Sequence, residues 1–316
     1  MNKKDFRIIF MGTPDFSATC LKALIDSGFN VVLVMSQPDK PVGRKHIITP
    51  PPAKVCALEN DIPVYQPDSL KPDEVFETMK GYGPDLIITA AYGKILPLRI
   101  LGLSKVKAIN VHASLLPKRR GSAPVQRSIM DGDELTGVTI MQMEEGMDTG
   151  DMISRVEVPI DINIHTDELM DLLAVKGSKL LVDTLEDYCD GKITPVKQDE
   201  SEVTVCPPIR AEEGEFSWDM SALDIHNKVR ALSSWPGALT SLDGKKVKIY
   251  DSEYIDSFEA DAALPAGAVV KAHKKDLIVK CGEGFLKINI LQTEGGKKLS
   301  AADCAHNFKV GQVFGN

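Results

Sequence analysis

The chain has 316 residues, of which 43% are hydrophobic and 26% are charged, a balance typical of a soluble globular protein with one large or two ordinary domains. Its formal net charge of −8 argues against a general nucleic-acid binder, and no stretch approaches the roughly 20 apolar residues that span a bilayer. The six cysteines are scattered without a CxxC pair, and the N-terminal apolar run is too short for a signal peptide. We therefore predict a cytoplasmic protein with reduced thiols and no membrane partner.

Strand-like and helix-like segments alternate along the first half of the chain. Short apolar runs predict strands, and helical periodicity predicts the helices between them. The predicted strands are 7–11, 31–35, 64–66, 85–90 and 106–112, and the predicted helices are 15–27, 53–60 and 72–82. Residues 37–52 contain five prolines and are predicted to form a long loop. Continuous apolar runs are typical of strands buried on both faces, so we predict an α/β domain of βαβ units with a mostly parallel sheet.

The pattern changes in the second half. A helix at 124–131 is followed by a strand pair, 137–143 and 152–159, and by a long amphipathic helix at 166–188. Residues 192–209 contain prolines but no helical period, and we interpret them as a linker. The predicted organisation is therefore an N-terminal domain at 1–191, a linker at 192–209 and a C-terminal domain at 210–316.

The C-terminal domain is predicted to be a small β-barrel of the OB type. After one helix at 222–232, about five short strands are separated by Gly and Asp turns. The segments 277–281 and 285–291 are predicted to form a hairpin. Its second strand alternates, which predicts that Leu286, Ile288 and Ile290 share one face.

The segment 108–127, AINVHASLLPKRRGSAPVQR, holds the first candidate functional residues. Asn110 and His112 stand two apart at the end of a predicted strand, so both side chains share a face at its carboxyl edge, where open α/β sheets build their sites. An amide NH₂ and an imidazole can both donate to a developing oxyanion, and an imidazole exchanges protons near neutrality. A histidine in such a place can equally be structural, so the residues alone leave both interpretations open.

Two further features have both a structural and a functional interpretation. Asp148, within EEGMDTGDM, is either an Asx-type turn residue or a carboxylate that orients His112 or takes a proton through water. The basic triplet Lys118, Arg119 and Arg120 is either a solvated surface or a phosphate contact beside a helix N-terminus.

Other chemistries lack their sequence patterns. Only Gly12 of the dinucleotide fingerprint G-x-G-x-x-G follows the first predicted strand, so NAD is not expected. The chain has no metal-ligand spacing and no G-x-S-x-G motif, which argues against zinc hydrolysis and a serine nucleophile.

The same residues resemble a known family. NVHASLLPKRRGSAPVQ and the later DTGD are similar to the signature of the folate-dependent formyltransferases. MGTPDFS, SQPDKPVGR, AYGKILP and GVTIMQMEEGMDTGDM stand in the order expected of that family. FSWDMSALDIHNKVRALSSWPGA and GKKLSAADC resemble the C-terminal part of its tRNA-directed members, so the resemblance covers nearly the whole chain.

This resemblance implies a Rossmann-like catalytic domain at 1–191 and an OB-like tRNA-binding domain at 210–316, together with a function and a set of residues. The expected reaction transfers the formyl group of N10-formyltetrahydrofolate to the α-amine of methionyl initiator tRNA, and we expect a monomer without metal. Asn110, His112 and Asp148 match the family's catalytic positions. The implied folate-binding residues are Ala91, Tyr92, Gly93, Ile95, Ser114, Leu115, Leu116, Pro117, Met141 and Met143. The implied tRNA contacts are Arg44 and Lys45 in the proline-rich loop and the triplet Lys118, Arg119 and Arg120.

One position departs from the family's pattern, because an aromatic residue usually stands where this chain has Arg119. Two other functions stay open at this point. Another folate-dependent formyltransferase, or a formyl-folate hydrolase, would keep the same site but use a different acceptor, such as water, a nucleotide-sugar amine or glycinamide ribonucleotide. A non-catalytic RNA-binding protein would explain the barrel but would leave Asn110, His112 and Asp148 without a role.

Overall fold

The computed structural model describes residues 2–43 and 46–315. The chain forms two compact units, each built from three segments. Unit one comprises Met1–Gly121, Leu135–Pro159 and Met170–Cys206, and unit two comprises Ser122–Glu134, Ile160–Leu169 and Pro207–Asn316. None of the helices in the described ranges combines the length and the apolar character that a membrane span requires.

The strands and helices follow one another in mixed order along the chain. The strands are β1 (Arg7–Gly12), β2 (Asn30–Met35), β3 (Lys40–Val42), β4 (Ile47–Thr49), β5 (Val64–Tyr65), β6 (Leu86–Ala90), β7 (Ile109–His112), β8 (Arg120–Gly121), β9 (Leu135–Gln142), β10 (Met152–Pro159), β11 (Val205–Cys206), β12 (Ala238–Leu242), β13 (Lys245–Ile255), β14 (Val269–His273), β15 (Asp276–Lys280), β16 (Phe285–Thr293) and β17 (Leu299–Ser300). The helices are α1 (Asp15–Asp26), α2 (Pro52–Glu59), α3 (Asp73–Gly81), α4 (Leu98–Leu101), α5 (Pro124–Met130), α6 (Thr166–Cys189), α7 (Ala222–Leu232) and α8 (Ala301–Cys304).

The sheet of unit one has the strand order β10-β9-β7-β6-β1-β2-β5. The pairs from β5 to β7 are parallel, and β9 and β10 add an antiparallel edge. The chain runs outward from β1 to β2 and β5 and then returns to place β6 on the other side of β1. This reversal is a topological switch point, and ligands of open α/β sheets bind beyond the strand carboxyl ends at such a point.

Local sequence explains how the central strand ends. A side chain at Gly12 would place its Cβ 2.5 Å from the Cβ of Ser17 and 2.8 Å from the Phe10 ring, so only glycine fits between β1 and α1. Thr13 then directs its hydroxyl to the backbone oxygen of Tyr92 at 3.1 Å, which joins the loops that follow β1 and β6. The glycine is therefore a packing requirement of the strand-to-helix turn.

The sheet of unit two is antiparallel, with the order β12-β13-β16-β15-β14 and β17 paired to β16. Its free edges are joined by the C-terminal segment, because Leu242 bridges Phe314 and Ala268 bridges Val313. The interior holds apolar side chains that include Trp218, Ile249 and Leu286. The predicted fold class is confirmed: a mixed α/β chain with a mostly parallel sheet followed by an antiparallel, edge-joined sheet.

Several predictions about single elements were wrong. Residues 37–52 are not only loop, because β3 and β4 form a hairpin in which Lys40 pairs with Thr49. Leu286 and Ile288 are buried as predicted, but Leu291 replaces Ile290 on the buried face. The register between β13 and β16 shifts near Asp251, where the pairing passes over Asn289 and reverses the faces beyond it.

The segment predicted to be a linker is largely ordered within unit one. Residues up to Cys206 belong to that unit, and the short strand β11 pairs in parallel with β8. Val196 exchanges two backbone hydrogen bonds with Met152, both 2.8 Å long. This ordering was not visible in the sequence because a two-residue strand and an isolated bridge have no periodicity.

Candidate active site

Strand β7 presents Asn110 and His112 at the carboxyl edge of the sheet. Asn110 pairs with Thr89 of β6 on one side and with Met141 of β9 on the other. The hydroxyl of Thr89 lies 2.8 Å from Oδ1 of Asn110, so the carbonyl end of the amide accepts this hydrogen bond. The NH₂ end of the half-exposed amide is consequently the end that can donate to a ligand.

His112 is buried, with 6% of its surface exposed, and both of its ring nitrogens have neighbours. Nε2 lies 2.9 Å from the backbone oxygen of Arg119, and Nδ1 lies 3.6 Å from Oδ2 of Asp148. Because a carbonyl oxygen only accepts, Nε2 must carry a hydrogen. Nδ1 is therefore a basic nitrogen in the neutral ring and a donor facing Asp148 in the imidazolium form.

The carboxylate of Asp148 is held from a second direction. The backbone N–H of Gly121 donates to Oδ2 at 2.8 Å, and the side chain is 17% exposed. The structure thus brings together Asn110, His112 and Asp148 at one edge, although the last two are far apart in the sequence. An amide donor, an imidazole and a carboxylate in this arrangement can stabilise an oxyanion and exchange a proton.

Three residues of the predicted site adopt left-handed backbone conformations. The φ angles are +45° at Ala91, +65° at Arg119 and +56° at Asp148. Such conformations are uncommon for residues other than glycine, and each has a cost of order 1–3 kcal/mol that the surrounding structure must offset. Their occurrence in the loops that carry the predicted site residues is typical of a functional site.

The residues from Ser114 to Pro117 form a tightly tied turn. Ser114 is fully buried, and its hydroxyl donates to the backbone oxygen of Lys118 at 2.8 Å. The hydroxyl of Thr139 donates to the oxygen of Ser114 at 2.7 Å and accepts from the N–H of Leu116 at 3.2 Å. Leu116 and Pro117 are buried and Leu115 is half-buried, so Ser114 and Leu116 shape the turn from inside.

The predicted folate-binding residues after β6 divide into two groups. Ala91, Gly93 and Ile95 are exposed, and Ile95 keeps 93% of its surface accessible. Tyr92 is 3% exposed, and burial raises its pKa to about 12. Its backbone oxygen also accepts from Gln37 Nε2 at 3.0 Å, so the tyrosine anchors the loop and leaves its neighbours accessible.

The two predicted methionines lie beside β7. Met141 is 2% exposed and pairs with Asn110 across the sheet. Met143 is half-buried, and its sulfur lies 3.3 Å from the hydroxyl of Thr89. Thr89 therefore contacts both Asn110 and Met143, and sequence analysis missed it although it is the one polar residue inside the apolar run LIITA.

The predicted tRNA contacts have different environments. Arg44 and Lys45 lie outside the described residues. Lys118 is exposed and Arg119 is half-buried. Arg120 is 6% exposed, and its Nη2 lies 2.8 Å from Oε1 of Glu200. Burial and pairing of this guanidinium within unit one contradict the prediction that it contacts a phosphate.

No cluster of three or more His, Cys, Asp or Glu residues that could hold a metal occurs within residues 2–43 and 46–315. The site lies at the carboxyl edge of a Rossmann-like α/β sheet and holds an amide, an imidazole and a carboxylate. The formyl transferase model matches residues 6–185, and the model of the formyl transferase C-terminal domain matches residues 208–309. The chain belongs to the formyl transferase family.

Several individual proteins are similar to this chain in sequence or in fold. The chain is 47% identical over 307 residues to a methionyl-tRNA formyltransferase of Caldicellulosiruptor saccharolyticus, covering 96% of this chain and 97% of that protein. It is 44% identical over 312 residues to a methionyl-tRNA formyltransferase of Bacillus subtilis, covering 98% of each. HypX from Aquifex aeolicus, solved in complex with tetrahydrofolic acid, shares the fold with a TM-score of 0.64 and 20% identity over 94% of this chain and 46% of its own. The chain thus spans about half the length of HypX.

Proposed function

We propose that this chain transfers the formyl group of N10-formyltetrahydrofolate to the α-amine of methionine on initiator tRNA. The proposal rests on the sequence identity of 47% to a methionyl-tRNA formyltransferase. That similarity covers 97% of the relative and includes both units of this chain. The donor set fits an acyl transfer, because an amide NH₂ of Asn110 stands at the same edge as an imidazole and a carboxylate.

The folate supplies an activated formyl group, and the protein supplies orientation and electrostatics. Asn110 is oriented by Thr89 so that its NH₂ donates to the formyl oxygen as that oxygen takes up negative charge. His112 in its imidazolium form donates a hydrogen bond from Nδ1 to this oxygen or to Asp148. Asp148 accepts the proton that the attacking α-amine must lose, directly or through one water, as the new C–N bond forms. The tetrahedral intermediate then collapses with cleavage of the formyl C–N10 bond, and the same proton passes to N10, so that tetrahydrofolate leaves as a neutral amine.

Hydrogen bonds already present in the protein assign these roles to particular atoms. Nε2 of His112 is committed to the Arg119 oxygen, so proton exchange at the imidazole takes place at Nδ1. One oxygen of Asp148 accepts from the Gly121 N–H, which keeps the carboxylate beside Nδ1. The half-buried Leu115 and Met143 and the exposed Ala91 and Gly93 supply the surface against which the folate packs.

The tRNA requires positive charge from a chain whose net charge is −8. We assign the phosphate contacts to Arg44, Lys45, Lys118 and Arg119, without the buried Arg120. Binding through phosphates weakens steeply with salt because counterions are released. We further propose that the protein is a cytoplasmic monomer, with a catalytic domain at 1–191 and a C-terminal domain at 210–316 that binds the tRNA.

The experiment is a direct formylation assay. The protein is incubated with N10-formyltetrahydrofolate and methionine-charged initiator tRNA, and formyl-methionine is measured after hydrolysis of the aminoacyl ester. Uncharged tRNA should give no product, and free methionine and an aminosugar nucleotide should react far more slowly. Formylation of the aminosugar nucleotide in preference to the charged tRNA would refute the proposed acceptor.

A further inference from the structure

We propose that Gln198 is a positioning residue that holds the segment around Asp148 in its reactive conformation. This inference rests on the proposed function of Asp148 in formyl transfer. Gln198 donates from Nε2 to two backbone oxygens of that segment, to Asp148 at 2.8 Å and to Gly150 at 2.7 Å. Both hydrogens of its amide are thereby used within one turn of chain.

The other end of the Gln198 amide is also anchored. Its Oε1 accepts from Nε of Arg120 at 3.0 Å, and both side chains are nearly inaccessible, with 4% and 6% exposed. Arg120 also donates from Nη2 and Nη1 to the two carboxylate oxygens of Glu200, at 2.8 and 3.3 Å. The three side chains form one continuous hydrogen-bonded group, in which a forked guanidinium fixes the amide in a single orientation.

The backbone and side chains of residues 198–206 also form hydrogen bonds with the loop that follows β7. Arg119 N donates to the hydroxyl of Thr204 at 2.8 Å, and Arg120 N donates to the Thr204 oxygen at 2.9 Å. A Cβ at Gly121 would lie 2.3 Å from the Cys206 oxygen, so β8 and β11 approach as closely as glycine allows. Residues 198–206 therefore contact both segments that position the catalytic side chains.

The conformation of Asp148 explains why such support is needed. Its φ of +56° is unfavourable for an aspartate, and its carboxylate must remain near Nδ1 of His112. Gln198 fixes the carbonyl groups of Asp148 and Gly150, so the direction in which the Asp148 side chain leaves the backbone is set. A neutral amide provides these two donors without adding a charge beside the carboxylate.

Two substitutions separate positioning from simple stabilisation. Gln198→Glu keeps an acceptor for Arg120 but removes both donors to Asp148 and Gly150. Gln198→Met keeps the volume and removes the acceptor as well. Glu202→Gln is the matched control, because Glu202 is an exposed residue of the same segment.

We expect kcat to fall on the order of 10-fold or more in both Gln198 variants, since a displaced catalytic group loses rate steeply with distance. KM for the folate and for charged tRNA should stay within about twofold, because Gln198 acts on the reacting geometry and not on binding. Glu202→Gln should match the wild type. Assays are run well below the melting temperature of each variant, so that partial unfolding does not contribute.

The decisive measurement is the kcat of Gln198→Glu at an unchanged melting temperature, because a purely structural role of Gln198 would leave this kcat unchanged. Arg120 retains its partner in that variant, so a residue needed only to anchor Arg120 would leave kcat intact, and that result would overturn the proposal. A double variant, Gln198→Met with Arg120→Met, should be no slower than Gln198→Met alone, because the two act in series; multiplicative losses would count against it. If the wild type itself forms no formyl-methionine, the proposed function fails, whereas a slow variant beside an active wild type concerns Gln198 alone.

Discussion

Replacing Asn110 by aspartate tests the proposed oxyanion donor, because it changes one heavy atom of the side chain, the amide nitrogen, to oxygen. The two side chains have the same shape, and the carboxylate of the Asn110→Asp variant would still offer an oxygen to the Thr89 hydroxyl that now lies 2.8 Å away. The substitution removes the NH₂ that faces the reacting oxygen and places negative charge beside it. Losing one oxyanion donor typically costs about 10²–10³ in rate, or roughly 2.7–4 kcal/mol, and the added charge increases that cost.

The assay measures kcat and KM for charged initiator tRNA and for N10-formyltetrahydrofolate separately. An interaction made mainly as charge develops lowers kcat and leaves KM nearly unchanged. Thr89→Val is the companion variant, because it removes the hydroxyl that orients the amide and keeps the amide itself. Its kcat should fall by less than that of Asn110→Asp, on the order of 10-fold, since a misoriented donor still reaches the oxygen part of the time.

Two results would refute the assignment. A kcat within about threefold of the wild type for Asn110→Asp would show that the amide is not the donor, because the loss of even one such bond exceeds that factor. An unchanged kcat with a large rise in KM for the folate would instead place Asn110 in ground-state binding.

Three further predictions concern other parts of the chain. Burial lowers the pKa of His226 below its ordinary value of 6.5. The stability that the neutral ring provides is therefore complete above pH 6.5 and is lost as the pH falls through the folded-state pKa. The urea concentration at the midpoint of unfolding should decline over that range, and it should decline less steeply in His226→Gln. Lys118→Ala should weaken tRNA binding and reduce the slope of log K against log salt by about 1, measured by filter binding, while the buried Arg120 should contribute no such slope. Burial raises the pKa of Cys20 to about 12, so its thiol should resist alkylation in the folded protein and react only on unfolding, as followed by mass spectrometry.

The part of the site predicted from sequence is the part determined by short-range periodicity. A two-residue alternation places Asn110 and His112 on one face of β7, and the parallel sheet brings that strand end to the carboxyl edge of the sheet, next to β6. The proximity of Asp148 to His112 depends on how β9 pairs with β7, which no local pattern specifies. The residues alone left that proximity as one of two interpretations of Asp148, and the family resemblance favoured it.

Sequence reasoning failed where isolated long-range contacts decide the structure. Arg120 looks like a surface cation in a basic triplet, yet its partners Gln198 and Glu200 lie far along the chain, 78 and 80 residues away. Gln198 itself stands in a proline-containing stretch without periodicity, so nothing marked it as ordered. The reversal of faces at Ile290 has the same origin, because a bulge depends on the pairing with β13 and not on the alternation of β16.

The three residues Arg119, Arg120 and Gly121 show how the site tolerates a change in sequence. His112 is held by the backbone oxygen of Arg119, Asp148 by the backbone N–H of Gly121, and the Asp148 segment by Gln198, which Arg120 anchors. The side chain at position 119 takes no part in these three contacts. The tautomer of His112 is set by a backbone oxygen that any residue at position 119 supplies, and Asp148 is held by Gly121 and by the Gln198 amide. An arginine in place of the usual aromatic residue therefore leaves these contacts unchanged and, under the proposed function, alters only the side chain offered to the tRNA.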